Sequence, residues 1–97
     1  MRFSWDDEKS KSNIVKHKIS FDEASTIFND ENILSIFDEE HSDIEERWIS
    51  IGLSARLREI VVVHLFLTKE EPETIRIISA RKATKQETIQ YNSGIGR

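Results

Sequence analysis

Ninety-seven residues with one proline, three glycines and 37 % hydrophobic content suffice for one domain, residues 1–97, with one modest core. The absence of cysteine excludes disulfides, thiolate metal sites and zinc fingers, and nothing in the chain opposes a reducing cytoplasm. A net charge of −4 weighs against nucleic-acid binding, but residues 1–50 carry six Lys/Arg against thirteen Asp/Glu, whereas residues 74–97 carry five against one. The N-terminus lacks the apolar run of a signal peptide, and Ile60–Val63 is too short to cross a bilayer, so a soluble cytoplasmic protein is expected.

Phe3-Ser4-Trp5 alternates as a short strand does, and Asp6 is suited to cap a helix running to about Lys18. Ser20-Phe21-Asp22-Glu23 has the spacing of a capping box, followed by a helical stripe of Phe21, Ala24, Ile27 and Phe28 that should stop near Asn29-Asp30. Ile33–Phe37 reads as a short strand. The acidic run 38–46 reads as a solvated connection. Arg47–Leu53 alternates, with Ile49, Ile51 and Leu53 on one face; Glu59–Thr68 is apolar on both faces, and Ser54–Arg58 between them is a hairpin turn. A loop at 69–73 leads to a final strand, Thr74–Ala80, after which Thr84-Lys85-Gln86-Glu87 opens a short helix through about Tyr91. Residues 92–97 read as a flexible tail. The order β-α-α-β-β-β-β-α describes an α+β domain, a meander covered by helices.

Two cationic clusters stand out. Arg81 and Lys82 fall at a strand end just before a helix N-terminus, a corner suited to phosphate; the alternative is an Arg81–Glu87 ion pair with Lys82 solvated. Lys9, Asn13, Lys16 and His17 share one helical face, which is either a binding surface or an ordinary wet face. His64, in the most apolar strand, reads as a satisfied core histidine, and His41 as a loop residue. The three histidines have no ligand spacing, so no metal site or cofactor is expected.

Phe3-Ser4-Trp5-Asp6, Lys16-His17, Ser20-Phe21-x-Glu23-Ala24, Glu46-Arg47, Arg58 and Arg76-Ile77-Ile78-Ser79-Ala80-Arg81-x-Ala83-Thr84-x-x-Glu87-x-x-x-Tyr91 resemble, in order and separation, the BrnT family of type II toxin–antitoxin ribonuclease toxins. Lys18 departs from the glycine usual in that family. The resemblance implies a RelE-like fold, a curved antiparallel sheet with two N-terminal helices and a short C-terminal helix, the helices packed against one side. It also implies an endoribonuclease that halts growth, and a BrnA-type antitoxin that binds the toxin in a dimeric or 2:2 complex; the toxin reaches operator DNA only through the antitoxin, and the complex represses the shared operon.

Metal-free RNA cleavage needs a base for the 2′-OH proton, cations for the phosphorane and an acid for the leaving oxygen. Arg81, Arg76 and Arg58 are the candidates for transition-state charge, and His17 or Glu46 for the base, with Glu46 alternatively paired to Arg58 or Arg47. Lys9, Lys16, Arg47, Lys82 and Lys85 are candidates for the RNA backbone, and Tyr91 for stacking on a base. Two other functions stay open: an inactive antitoxin-binding co-repressor on the same fold, and a protein-interaction domain whose basic patch docks an acidic partner.

Overall fold

Five strands and three α-helices are seen in the computed structural model, which describes residues 1–68 and 71–94. Strand β1 (Arg2–Ser4) leads into α1 (Asp7–His17), capped by the Asp6 carboxylate, which accepts from the N–H groups of Glu8 and Lys9. Asp7 and Glu8 then sit at the positive end of the helix dipole, and Lys16 and His17 at the negative end. The helix stops at Lys18, whose φ of 60° is left-handed. A side chain there costs about 1 kcal/mol, and glycine is the usual occupant. Lys18→Gly should therefore raise stability by about 0.5 kcal/mol in urea denaturation, the relieved strain exceeding the added entropy of the unfolded chain. A lower midpoint would mean that the 3.4 Å bond from Lys18 Nζ to the Val15 carbonyl outweighs the strain.

Ser20 caps α2 (Phe21–Ser25), accepting the Glu23 N–H at 3.0 Å, and the chain tightens into a 3-10 turn at Thr26–Asn29. The expected capping box is only half formed. The Glu23 carboxylate turns instead to Arg58 and Ser54, because a charge-assisted fork is stronger than a bond to one backbone N–H.

The sheet order is β1-β5-β4-β3-β2, with β2 at Leu34–Phe37, β3 at Arg47–Leu53, β4 at Glu59–Thr68 and β5 at Thr74–Lys82. Strands β2 to β5 form an antiparallel meander, but β1 lies parallel to β5, pairing Arg2 with Thr74 and Ser4 with Arg76. The sheet is therefore mixed rather than wholly antiparallel. β5 continues two residues past Ala80, since Arg81 and Lys82 still pair with Val61 and Ile60. Ile78 is bulged out of that ladder, which lets Ile75, Ile77 and Ala80 all reach the core. Of the expected 69–73 loop, Lys69 and Glu70 lie outside the described residues.

Phe21, Ala24 and Ile27 pack with Ile19, Ile60, Val62, Ile77 and Ala80 on one face of the sheet. The approach is so close at β3 that a Cβ on Gly52 would stand 2.8 Å from Ile27 Cβ. On the opposite face, Tyr91 of α3 (Lys85–Ser93) packs against Leu34, Ile51 and Val61. The helices thus cover both faces, not one. Thr84 and Glu87 complete the capping box of α3, which runs through Asn92 and Ser93 to a left-handed Gly94; residues 95–97 of the expected tail lie outside the described residues.

Candidate nucleic-acid interface

Strand β1 pairs only with the first third of β5, and α1 takes over along the remaining edge. Asn13 makes that junction. Its side-chain amide donates to the Ala80 carbonyl at 2.8 Å and accepts the Ala80 N–H at 3.2 Å, as a neighbouring strand would, and it also donates to the Ile19 carbonyl at 2.8 Å. Asn13 is buried, so the expected wet face is interrupted at its centre. Only its poor helix propensity in mid-helix hints at this role in the sequence.

Around Asn13 lies a groove of about 200 Å³, walled by Lys9, Ser12, Lys16 and His17 of α1 and by Ile78 and Ser79 of β5. Lys9, Lys16 and His17 are exposed, and none has a carboxylate partner among the described residues. Two ammonium groups without counter-charge, beside an imidazole and two hydroxyls, suit a phosphate oxygen. Nothing in the local sequence assigns Ser12 or Ser79 to a site; their place follows from the docking of α1 on β5, a non-local contact.

The three arginines do not share a corner. Arg58, in the β3–β4 turn, forks onto Glu23, with Nε 2.9 Å from Oε2 and a second short contact to Oε1, and it donates to the Lys18 carbonyl at 3.0 Å. Ser54 Oγ adds a 2.7 Å bond to the same carboxylate. The Arg58 fork holds the Glu23 carboxyl below its usual range against the opposing effect of burial. Arg81 forks onto Glu87 at 2.7 and 2.9 Å, on the side of the sheet covered by α3, which together with the Thr84 N–H holds the Glu87 carboxyl down at about 2. The ion-pair alternative for Arg81 is the one realised. Arg76 donates to Ser4 Oγ at 3.1 Å on the β1 side.

Glu46 is exposed in the β2–β3 connection, away from the groove; the partner of Arg47 there is Glu45, at 4.0 Å. His41 bonds Asp38 in the same loop. Lys82 and Lys85 are exposed at the far end of β5 and the start of α3. Tyr91 is 8 % exposed, its ring in the second core and its hydroxyl on Asp30, so the ring is packing and offers no face for base stacking. His64 is fully buried. Its Nε2 lies 2.7 Å from Ser50 Oγ, but Nδ1 has no partner among the described residues, so this core histidine is only half satisfied, and burial pushes it down to about 4. Among the described residues no three His, Asp or Glu side chains group as metal ligands.

Fold and groove together define a small α+β protein with a cationic, carboxylate-free surface along one sheet edge. Residues 5–87 match the family described as ribonuclease toxin, BrnT, of type II toxin–antitoxin system, and the chain belongs to that family. Its fold is similar to the 1.1 Å crystal structure of the Brucella abortus ribonuclease toxin, BrnT, with a TM-score of 0.61, 24 % sequence identity, and coverage of 88 % of this chain and 99 % of that one. Comparison with curated proteins gives no match. Membership in a type II system implies an antitoxin partner.

Proposed function

We propose that the chain is an endoribonuclease that cuts RNA by attack of the 2′-hydroxyl, without a metal, and that the groove between α1 and β5 is where the scissile phosphate lies. The observation that carries this reading is the uncompensated set Lys9, Lys16 and His17 in one groove. His17 is the base in preference to Glu46, which lies in the β2–β3 connection and does not line the groove. The imidazole takes the 2′-OH proton, the 2′-oxygen attacks phosphorus, and the bond to the 5′-oxygen breaks; that oxygen takes its proton from a lysine ammonium or from water. Lys9 and Lys16 offset the charge of the phosphorane. Arg76 is held by Ser4, and Arg81 reaches phosphate only by leaving Glu87. Arg58 is assigned to the fold.

A BrnA-type antitoxin that neutralises the toxin, a 2:2 complex acting on operator DNA through the antitoxin, a RelE-like classification, growth arrest and a cytoplasmic location complete the reading, supported by the family match. In the test, the purified chain is incubated with RNA in EDTA. Cleavage should persist and leave 2′,3′-cyclic phosphate ends. Loss on chelation, restored by a divalent ion, would contradict it.

One observation favours a second reading. Two of the three arginines expected to meet the transition state are held by carboxylates, as in an inactive module that only binds antitoxin and represses. That module would leave RNA intact while retaining operator binding with the antitoxin.

A further inference from the structure

Rings on the α1/α2 face of the sheet form a continuous ladder, Phe3, Phe28, His64, Phe66, Trp48 and Phe37, with successive centroids 4.9 to 5.7 Å apart. Near the end of this ladder Trp48 and Phe66, with Ser35 and Glu73, border a depression of about 360 Å³. It shares no residue with the groove between α1 and β5. Two aromatic walls meeting edge to face at 74° with one carboxylate and one hydroxyl are the fittings of a site for a flat, polar-edged ring.

The polar groups narrow the class. The Glu73 carboxylate has no cation or donor partner among the described residues. A carboxylate accepts two parallel N–H groups well, and guanine presents N1–H and N2–H side by side on one edge. Adenine places a lone pair at the same N1 position, which a carboxylate repels. The Trp48 Nε1–H is buried without an acceptor among the described residues, an arrangement that disfavours the free protein. A small turn of the indole on ligand entry would offer that donor to the guanine O6.

We propose that this depression is a guanine-binding subsite, taking a base of the RNA whose backbone lies in the groove between α1 and β5; it rests on the ribonuclease reading. The test uses nucleosides, which carry no phosphate, titrated into the whole chain and followed by amide chemical shifts and tryptophan fluorescence. Guanosine should shift Ser35, Trp48 and Glu73, and bind about tenfold more tightly than adenosine, the scale of one good carboxylate–base pair. Glu73→Gln should bring the two within about twofold, because the amide accepts one N–H and opposes the other. Equal binding of the four nucleosides, or shifts confined to Lys16, His17 and Ser79, would overturn the assignment. Binding is read on uncleaved ligand. A chain that binds guanosine but leaves RNA intact sinks the ribonuclease reading alone, and one that cuts RNA but treats nucleosides alike sinks the subsite alone.

Discussion

Arg58→Ala should lower the free energy of unfolding by about 3 kcal/mol, the low end of the range for removing one partner of a buried ion pair. Glu23 is 6 % exposed, and its carboxylate is satisfied almost wholly by the Arg58 fork and the Ser54 hydroxyl. Taking away the guanidinium leaves a buried charge with one neutral donor. It also frees the Lys18 carbonyl, so the end of α1, the start of α2 and the β3–β4 turn lose their common tie. The figure sits low because Arg58 itself is 27 % exposed and partly screened by solvent. Arg58→Ala with Glu23→Gln should cost less than the two changes summed, since the amide no longer leaves a buried charge. The depressed Glu23 carboxyl adds a pH dependence: its stabilisation is present above the ordinary carboxylate range and is lost as pH falls below it. Urea denaturation measures both; a loss below about 1 kcal/mol would show the pair to be surface-like.

Acid should weaken the fold well before the carboxylates titrate, and His64 is the reason. The unfolded chain takes up a proton on this side chain near 6.5, whereas the native imidazole, buried among Phe28, Phe66 and Ser50, resists until about 4. Unfolding therefore gains a proton in that window, and stability falls as pH drops, by about 1.4 kcal/mol per unit once the unfolded histidine is charged. Between pH 6.5 and 4.5 the parent should lose about 2 kcal/mol. His64→Gln, although less stable at neutral pH, should show a flat dependence over the same range. Parallel slopes in the two proteins would mean that His64 does not carry the acid sensitivity.

What could be read from residues alone follows the range of the interaction involved. β3 and β4 fall on the residues that alternation and β-branching mark, because those signals lie within each strand. The Thr84–Glu87 box closes as its spacing predicts, while the Ser20–Glu23 box, of the same spacing, opens because Arg58 lies 35 residues away and competes for the carboxylate. Parallel pairing of β1 with β5 joins residues 72 apart, and no local pattern announces it. Helical spacing puts Lys9, Asn13, Lys16 and His17 on one face, and the groove does bring them together, but spacing cannot show that Asn13 is buried and joins α1 to β5. Arg58, Arg76 and Arg81 looked interchangeable as phosphate ligands. Their partners, Glu23, Ser4 and Glu87, separate them.

The decisive measurement is the initial rate of RNA cleavage by the purified chain and by His17→Gln, side by side. His17 is exposed and its side chain is in no salt bridge among the described residues, so the variant should remain folded by circular dichroism. If the groove between α1 and β5 holds the scissile phosphate and His17 takes the 2′-OH proton, the rate should fall at least about 100-fold, the usual contribution of a general base. Cleavage by His17→Gln at the parental rate would contradict that placement, and a parent that leaves RNA intact would contradict the ribonuclease reading itself.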